Sequence, residues 1–254
     1  MKNHISLFIF AIALLSGPVS ANDLSMTAVK DTLASIPGEH NYIYVRTPLG
    51  EDEEKNYDEI TFYDGLGREL DFAQSYGADR AGAIMAHHHL IEYDSLGRKE
   101  KQWLSTNTSF SYMSPEDLKG GVLWDYHDAG KRSYLQTNYE SSPLNRITEQ
   151  YGVGDAWGDH PARMEYLTNI PADSLRCSFY FIDDNDSLIR RGDYRSGELQ
   201  VTKATDEDGK PTYTFVDKQG RTLLTRLGRG NQQADTYFVF DRFGRIRYVL
   251  PPMI

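Results

Sequence analysis

Tyr63-Asp64-Gly65-Leu66-Gly67-Arg68 recurs as Tyr93-Asp94-Ser95-Leu96-Gly97-Arg98, as Val216-Asp217-Lys218-Gln219-Gly220-Arg221 and as Phe240-Asp241-Arg242-Phe243-Gly244-Arg245. The shared core is an aromatic or aliphatic residue, Asp, two variable residues, Gly and Arg. Each copy follows a β-rich run such as Ile60-Thr61-Phe62-Tyr63. Asp at the first position of a turn accepts hydrogen bonds from backbone amides two residues on. Gly at the fourth position takes up a left-handed conformation that side chains resist. Arg then begins the returning strand. The phrase therefore predicts a tight hairpin, a type I turn with a Gly bulge, with positive φ at Gly67, Gly97, Gly220 and Gly244. Self-similarity of this kind signals a repeat architecture, and the unequal spacing of the copies suits a sheet with loops of varying length.

The rest of the chain agrees. Short runs rich in Tyr and Thr, as strands favour, lie at 41–46, 59–63, 83–93, 99–104, 163–167, 177–182, 188–193, 199–205, 212–216, 222–226, 236–240 and 246–250. Regular short strands with turn signals between them predict an all-β fold of antiparallel hairpins. Ser114-Pro115-Glu116-Asp117-Leu118 is a helix start, with Ser as cap and Pro at the first helical position. Gly120-Gly121 is expected to end that helix at once. Residues 151–165, with three glycines and Pro161 around Trp157, read as an irregular loop and a soft boundary. Glu51-Asp52-Glu53-Glu54-Lys55 reads as a solvated hairpin tip.

Residues 1–21 read as a secretory signal: Lys2, an uncharged apolar run over 7–15, then Val19-Ser20-Ala21 before Asn22. The run is too short to span a membrane, which needs about 20 apolar residues. Export follows, to a secreted, periplasmic or cell-surface location. Residues 22–40 form a polar lead with a short helix expected over 26–35, and 41–254 form one β-rich domain. The chain carries a formal charge of −10, and loss of the signal removes only Lys2. So acidic a chain lacks the basic footprint of a nucleic-acid binder. The single cysteine, Cys177, allows no internal disulfide and is expected to point into the core.

No catalytic set stands out. Gly-x-Ser-x-Gly, phosphate-loop and dinucleotide phrases are absent, and no cofactor is implied. His87 and His89 share one face of a strand and could bind zinc with a third ligand, but a closed site needs about four ligands and no partner is well placed; a polar strand face is the simpler reading. Asp183-Asp184-Asn185-Asp186 and Asp206-Glu207-Asp208-Gly209 resemble pieces of calcium loops but lack the alternating ligand set, and hairpin turns favour the same residues. The 17 Tyr, 11 Phe and 3 Trp fill a β core or form a stacking platform for sugars. Trp103, Trp124 and Trp157 are the candidates for such a platform, and Trp157, the most loop-like, is the candidate glycan contact.

The aromatic-Asp-x-x-Gly-Arg copies resemble the YD repeats of Rhs and teneurin-type proteins. Asn41-Tyr42-Ile43-Tyr44-Val45-Arg46-Thr47, Ser142-Pro143-Leu144-Asn145-Arg146, Glu149-Gln150-Tyr151-Gly152, Ala156-Trp157, Thr205-Asp206-Glu207-Asp208-Gly209 and Tyr248-Val249-Leu250-Pro251-Pro252 make the resemblance more specific. Together they are similar to the uncharacterised amino-terminal domain that precedes the Rhs repeats of large secreted bacterial proteins, over roughly residues 41–252. The resemblance implies a curved sheet or partial β shell with short helical insertions. It also implies a non-enzymatic scaffold that helps to encapsulate an effector or to act at cell surfaces. Such proteins continue for many more repeats, whereas this chain ends at Ile254, which suggests a truncated member. The implied partners are a downstream repeat segment, a second copy through the last β edge, or a cell-surface glycan. The alternative reading is a carbohydrate-binding or carbohydrate-processing module. The last hairpin, 236–250, is expected to expose an apolar patch around Tyr237, Val239, Tyr248 and Leu250.

Overall fold

Alternation of buried and half-buried residues along β2 (Asn56–Tyr63) sets the plan of the fold: Asn56, Asp58, Ile60 and Phe62 turn inward, as the two-residue period of a strand requires. The computed structural model describes residues 36, 38, 40–49, 56–75, 84–229 and 232–252. The signal sequence, the helix expected over 26–35 and the acidic tip at 51–55 lie outside the described residues. Those described are mostly antiparallel β structure with one α-helix and short 3-10 turns. They divide into two compact units, the first running to Gln136 with Val153–Ala156, the second taking Thr137–Gly152 and the chain from Trp157 onward.

In the first unit β1 (Asn41–Pro48), β2, β3 (Glu69–Ser75), β4 (Met85–Tyr93) and β5 (Lys99–Trp103) follow one another in space, and β5 pairs with the start of β7 (Tyr134–Tyr139). The short β6 (Thr106–Ser109) pairs with β4. Ile36, Ile60, Phe62, Ala73, Ala86 and Phe110 form its core, with Tyr42 and Tyr44 against them. The buried carboxylate of Asp58 is satisfied locally. Asp58 accepts from Tyr44 Oη at 2.6 Å and from Arg46 Nε at 2.7 Å.

The helix α1 (Pro115–Asp125) begins as expected, with Ser114 Oγ accepting from the Asp117 N–H at 3.2 Å. It does not end at Gly120-Gly121 but runs on through both. The reason is packing. A Cβ on Gly121 would stand 2.8 Å from Thr106 Oγ1, so the glycine lets the helix backbone lie against β6 and buries Leu118 and Val122. Burial of that face outweighs the roughly 1 kcal/mol cost of a helical glycine.

In the second unit the order is β8 (Ile147–Tyr151), β9 (Ala162–Thr168), β12 (Gln200–Thr205), β13 (Pro211–Val216), β14 (Thr222–Arg229), β15 (Gln232–Phe240) and β16 (Ile246–Leu250). A separate two-stranded sheet joins β10 (Ser178–Ile182) to β11 (Leu188–Asp193). The core gathers Cys177, Leu199, Val201, Phe215 and Leu224. The loop expected over 151–165 holds a 3-10 turn at Asp155–Trp157 and already enters β9 at Ala162. Among the described residues β16 has no second partner strand.

Candidate functional site

The recurring phrase builds one structure four times. Asp64 Oδ1 accepts the N–H of Leu66 and of Arg68, both at 2.9 Å, and Oδ2 accepts Arg68 Nε at 2.7 Å. The Asp64 N–H donates to the Arg68 carbonyl and the Gly67 N–H to the Asp64 carbonyl. Asp94, Asp217 and Asp241 repeat the set with Arg98, Arg221 and Arg245. Gly67, Gly97, Gly220 and Gly244 have φ of 76°, 82°, 80° and 77°. Each returning strand then carries one extra residue: Leu70 falls between the pairs Tyr63–Glu69 and Phe62–Asp71, and the other three hairpins shift in the same place. Such bulges increase local twist.

These clasps respond to acid. Burial works to raise the Asp64, Asp94 and Asp217 carboxyls, but the Arg N–H and guanidinium outweigh it and hold all three below the usual range. Asp241 is lowered chiefly by the Arg245 N–H. A carboxyl lowered by folding stabilises above its unfolded value of about 3.9 and loses that contribution as pH falls toward the lowered one. The melting temperature should therefore drop below about pH 4. The fourfold variant Asp64→Asn, Asp94→Asn, Asp217→Asn and Asp241→Asn should show a flatter acid limb. Parallel limbs in the two proteins would refute the clasp as an acid-sensitive element.

The Arg of one turn also meets the leading aromatic of the next. Arg68 lies 4.4 Å from the Tyr93 ring centroid and Arg221 lies 5.1 Å from Phe240. Cation–π contact thus ties consecutive hairpins together. Arg245 instead lies 5.2 Å from Phe243 of its own turn, with its side chain 67% exposed.

Two further turns of the same kind lack the Arg of the repeated phrase. Asp206 Oδ1 accepts the N–H of Asp208 and Lys210, and Asp183 Oδ1 accepts the N–H of Asn185 and Ser187. Lys210 or Ser187 stands where the others have Arg, and Asp186, at φ 63°, stands where they have Gly. Both stretches are hairpin turns, the simpler of the two readings of their sequence, and Asp183 and Asp206 accept from their own turn's backbone. A longer relative joins β7 to β8: Arg146 grips Glu140 with two 2.7 Å bonds and lies 4.5 Å from the Tyr166 ring centroid.

The other candidates stay apart. Among the described residues no three His, Cys, Asp or Glu gather as a metal site. His88, between the two histidines singled out for zinc, is buried, with Nδ1 2.6 Å from Asp71 Oδ2 and Nε2 2.9 Å from the Ser109 carbonyl oxygen. Cys177 is buried, and that burial pushes its thiol up to about 12, which keeps it protonated and unreactive. Trp157 is 45% exposed and packs on Gly152. Trp103 donates to Glu92, and Trp124, at the end of α1, is 84% exposed.

The patch expected on the last hairpin lies on its other face. Val239 is buried and Tyr237 packs on the core, because these residues face the same side as Leu224 and Phe215. Ile246, Val249 and the turn residue Phe243 are the exposed apolar groups. The hydrophobic alternation of β15 was legible, but not which face the core would take.

The sequence matches the family described as domain of unknown function DUF6443 over residues 41–168. No curated protein matches it. Similar solved structures include the crystal structure of TcdB2-TccC3-Cdc42, at 15% identity over 84% of this chain with a TM-score of 0.49. Another is that of TcdB2-TccC3, at 14% identity over 94% with a TM-score of 0.48. The chain spans 10% and 12% of the length of those chains.

Proposed function

The chain belongs to the DUF6443 family, and on that premise we propose that it is a non-enzymatic, exported β scaffold that joins to further β hairpins through its last strand. The observation that carries this reading is the state of β16. It pairs with β15 alone among the described residues, and Ile246, Val249 and Phe243 are exposed beside it. An uncovered strand edge is a template for another strand. The ordered resemblance to the amino-terminal domain of Rhs proteins supports the same role, with a repeat segment or a second copy as the joining chain and an effector or cell surface as the setting. The start of the sequence, Lys2 with the apolar run over 7–15 and Val19-Ser20-Ala21, supports export, and no described helix is long and apolar enough to cross a membrane.

Light scattering on the chain from Asn22 onward tests this. Self-association that grows with concentration, or capture of a purified YD-repeat segment, is the expected result. Ile246→Lys with Val249→Lys should abolish either one while leaving the melting temperature unchanged, since both side chains are exposed. A monomer at every concentration that also ignores the repeat segment would refute the scaffold reading.

A further inference from the structure

A cleft of about 640 Å³ opens in the second unit between β10 with Tyr194 on one side and β15 with the Asp241–Gly244 turn on the other. Its volume is within the range of about 300–1,000 Å³ usual for ligand sites. Every residue of β10 lines it, and each is only half-buried. Phe179 and Phe181 stand side by side on one face of that strand, centroids 5.9 Å apart and planes 25° from parallel, with Tyr194 edge-on to Phe179 at 4.9 Å. This makes a flat apolar strip. The strand is held from both ends: the Ser178 N–H donates to Tyr237 Oη, and at the hairpin tip Arg247 pairs with Asp186 while Tyr248 Oη donates to the Asp186 carbonyl.

The polar lining narrows the ligand. The Gln219 side-chain amide, the hydroxyls of Tyr180 and Tyr194 and the Arg242 guanidinium all belong to residues that line the cleft. Among the described residues these groups make none of the hydrogen bonds or ion pairs that engage their neighbours. Burial pushes the Tyr194 hydroxyl up to about 12, so it stays a donor. Arg221 is neutralised by Asp217, and Asp241 by Arg245, which leaves Arg242 as the net charge at the mouth. A wholly apolar ligand would cover these polar groups and return no hydrogen bond to them, and a polar group left unpaired under a ligand weakens binding. Among the described residues that line the cleft, a polyphosphate would meet a single free cation. We propose that this cleft binds an acidic oligosaccharide, whose sugar rings lie on Phe179 and Phe181, whose hydroxyls pair with Gln219 and the tyrosines, and whose carboxylate meets Arg242.

Isothermal titration with trigalacturonate and sialyllactose, set against maltotriose and cellotriose, tests the proposal. At least one acidic sugar should bind and the neutral ones should not. Arg242→Gln, at an exposed turn position, should weaken that binding about tenfold, the equivalent of about 1.4 kcal/mol, at unchanged melting temperature. Phe181→Ala should weaken it too, and Trp157→Ala should leave it intact. Absence of binding by either acidic sugar at millimolar concentration, equal affinity for the neutral sugars, or an Arg242→Gln variant that binds like the parent would each overturn it. The scaffold reading is tested separately, because Arg242→Gln leaves Ile246 and Val249 in place.

Discussion

Replacing Arg226 with Met is expected to destabilise the second unit by about 3 kcal/mol, within the range for breaking a buried ion pair. Arg226, on β14 opposite Asp235 of β15, is buried. Its Nε and Nη2 each reach Asp235 at 2.7 Å, and its Nη1 donates to the carbonyls of Ser174 and Arg176 at 2.7 and 2.9 Å. Met fills much of the volume but donates nothing. Asp235 then loses its counter-charge, and two carbonyls lose their partner. The Asp235 side chain keeps some contact with water, so it recovers part of the loss and the cost stays at the lower end. The double variant Arg226→Met with Asp235→Leu should regain only part of the stability, because the carbonyls remain unpaired. Urea unfolding measures both. A loss under about 0.5 kcal/mol, the range of ordinary surface substitutions, would show that the pair does not hold the fold. The contact matters beyond stability, since Ser174 and Arg176 lie just before Cys177 and the β10 wall of the cleft.

How much of this was legible in the sequence depended on which side of the sheet carried the pattern. The four Asp-x-x-Gly-Arg turns were readable because backbone geometry demanded Gly and the clasp used Arg, both visible as letters. The copy at Asp206 keeps the Asp-x-x-Gly letters but has Lys210 in place of Arg, and the copy at Asp183 has Asp186 with Ser187, so a pattern that asks for Arg reaches neither. β3 was expected only as the strand that Arg68 begins and showed no strand run of its own, for a different reason. Its inward residues are Asp71, Ala73 and Ser75, while Leu70 and Phe72 are only half-buried. An inner face that carries Asp71 against His88 gives no apolar alternation. β7 and β8 have hardly any buried residue to mark them. The aromatic cleft was illegible because its walls come from β10 and β15, far apart in the chain and joined only by tertiary packing. Trp157, the most loop-like tryptophan, drew attention by residue type, whereas the half-buried phenylalanines of β10 read as core.

Gly130→Ala is expected to cost the first unit about 3 kcal/mol, the sum of a Gly-only backbone conformation at about 1–3 kcal/mol and a displaced carboxylate. Gly130 ends a 3-10 turn with φ 73° and ψ −144°. A Cβ there would stand 2.1 Å from Asp155 Oδ2 and 2.4 Å from its Cγ. That carboxylate cannot simply swing aside. It accepts the backbone N–H of Lys131 at 3.1 Å and of Arg132 at 3.0 Å, and the next bond in the chain of contacts runs from the Gly154 N–H to the Arg132 carbonyl at 2.7 Å. These bonds lie within the first unit, which takes Val153–Ala156 although the chain on both sides belongs to the second. Asp155→Ala alone should cost about 1–3 kcal/mol, the usual loss for hydrogen bonds to a charged group. In the double variant the collision disappears and only the backbone strain adds to that loss. The two single costs should therefore sum to more than the double, by an amount of the order of 1 kcal/mol seen for residues in contact. Strict additivity in thermal or urea unfolding would mean that the carboxylate and Gly130 are not in contact in solution and that the excursion at 153–156 is held by other bonds.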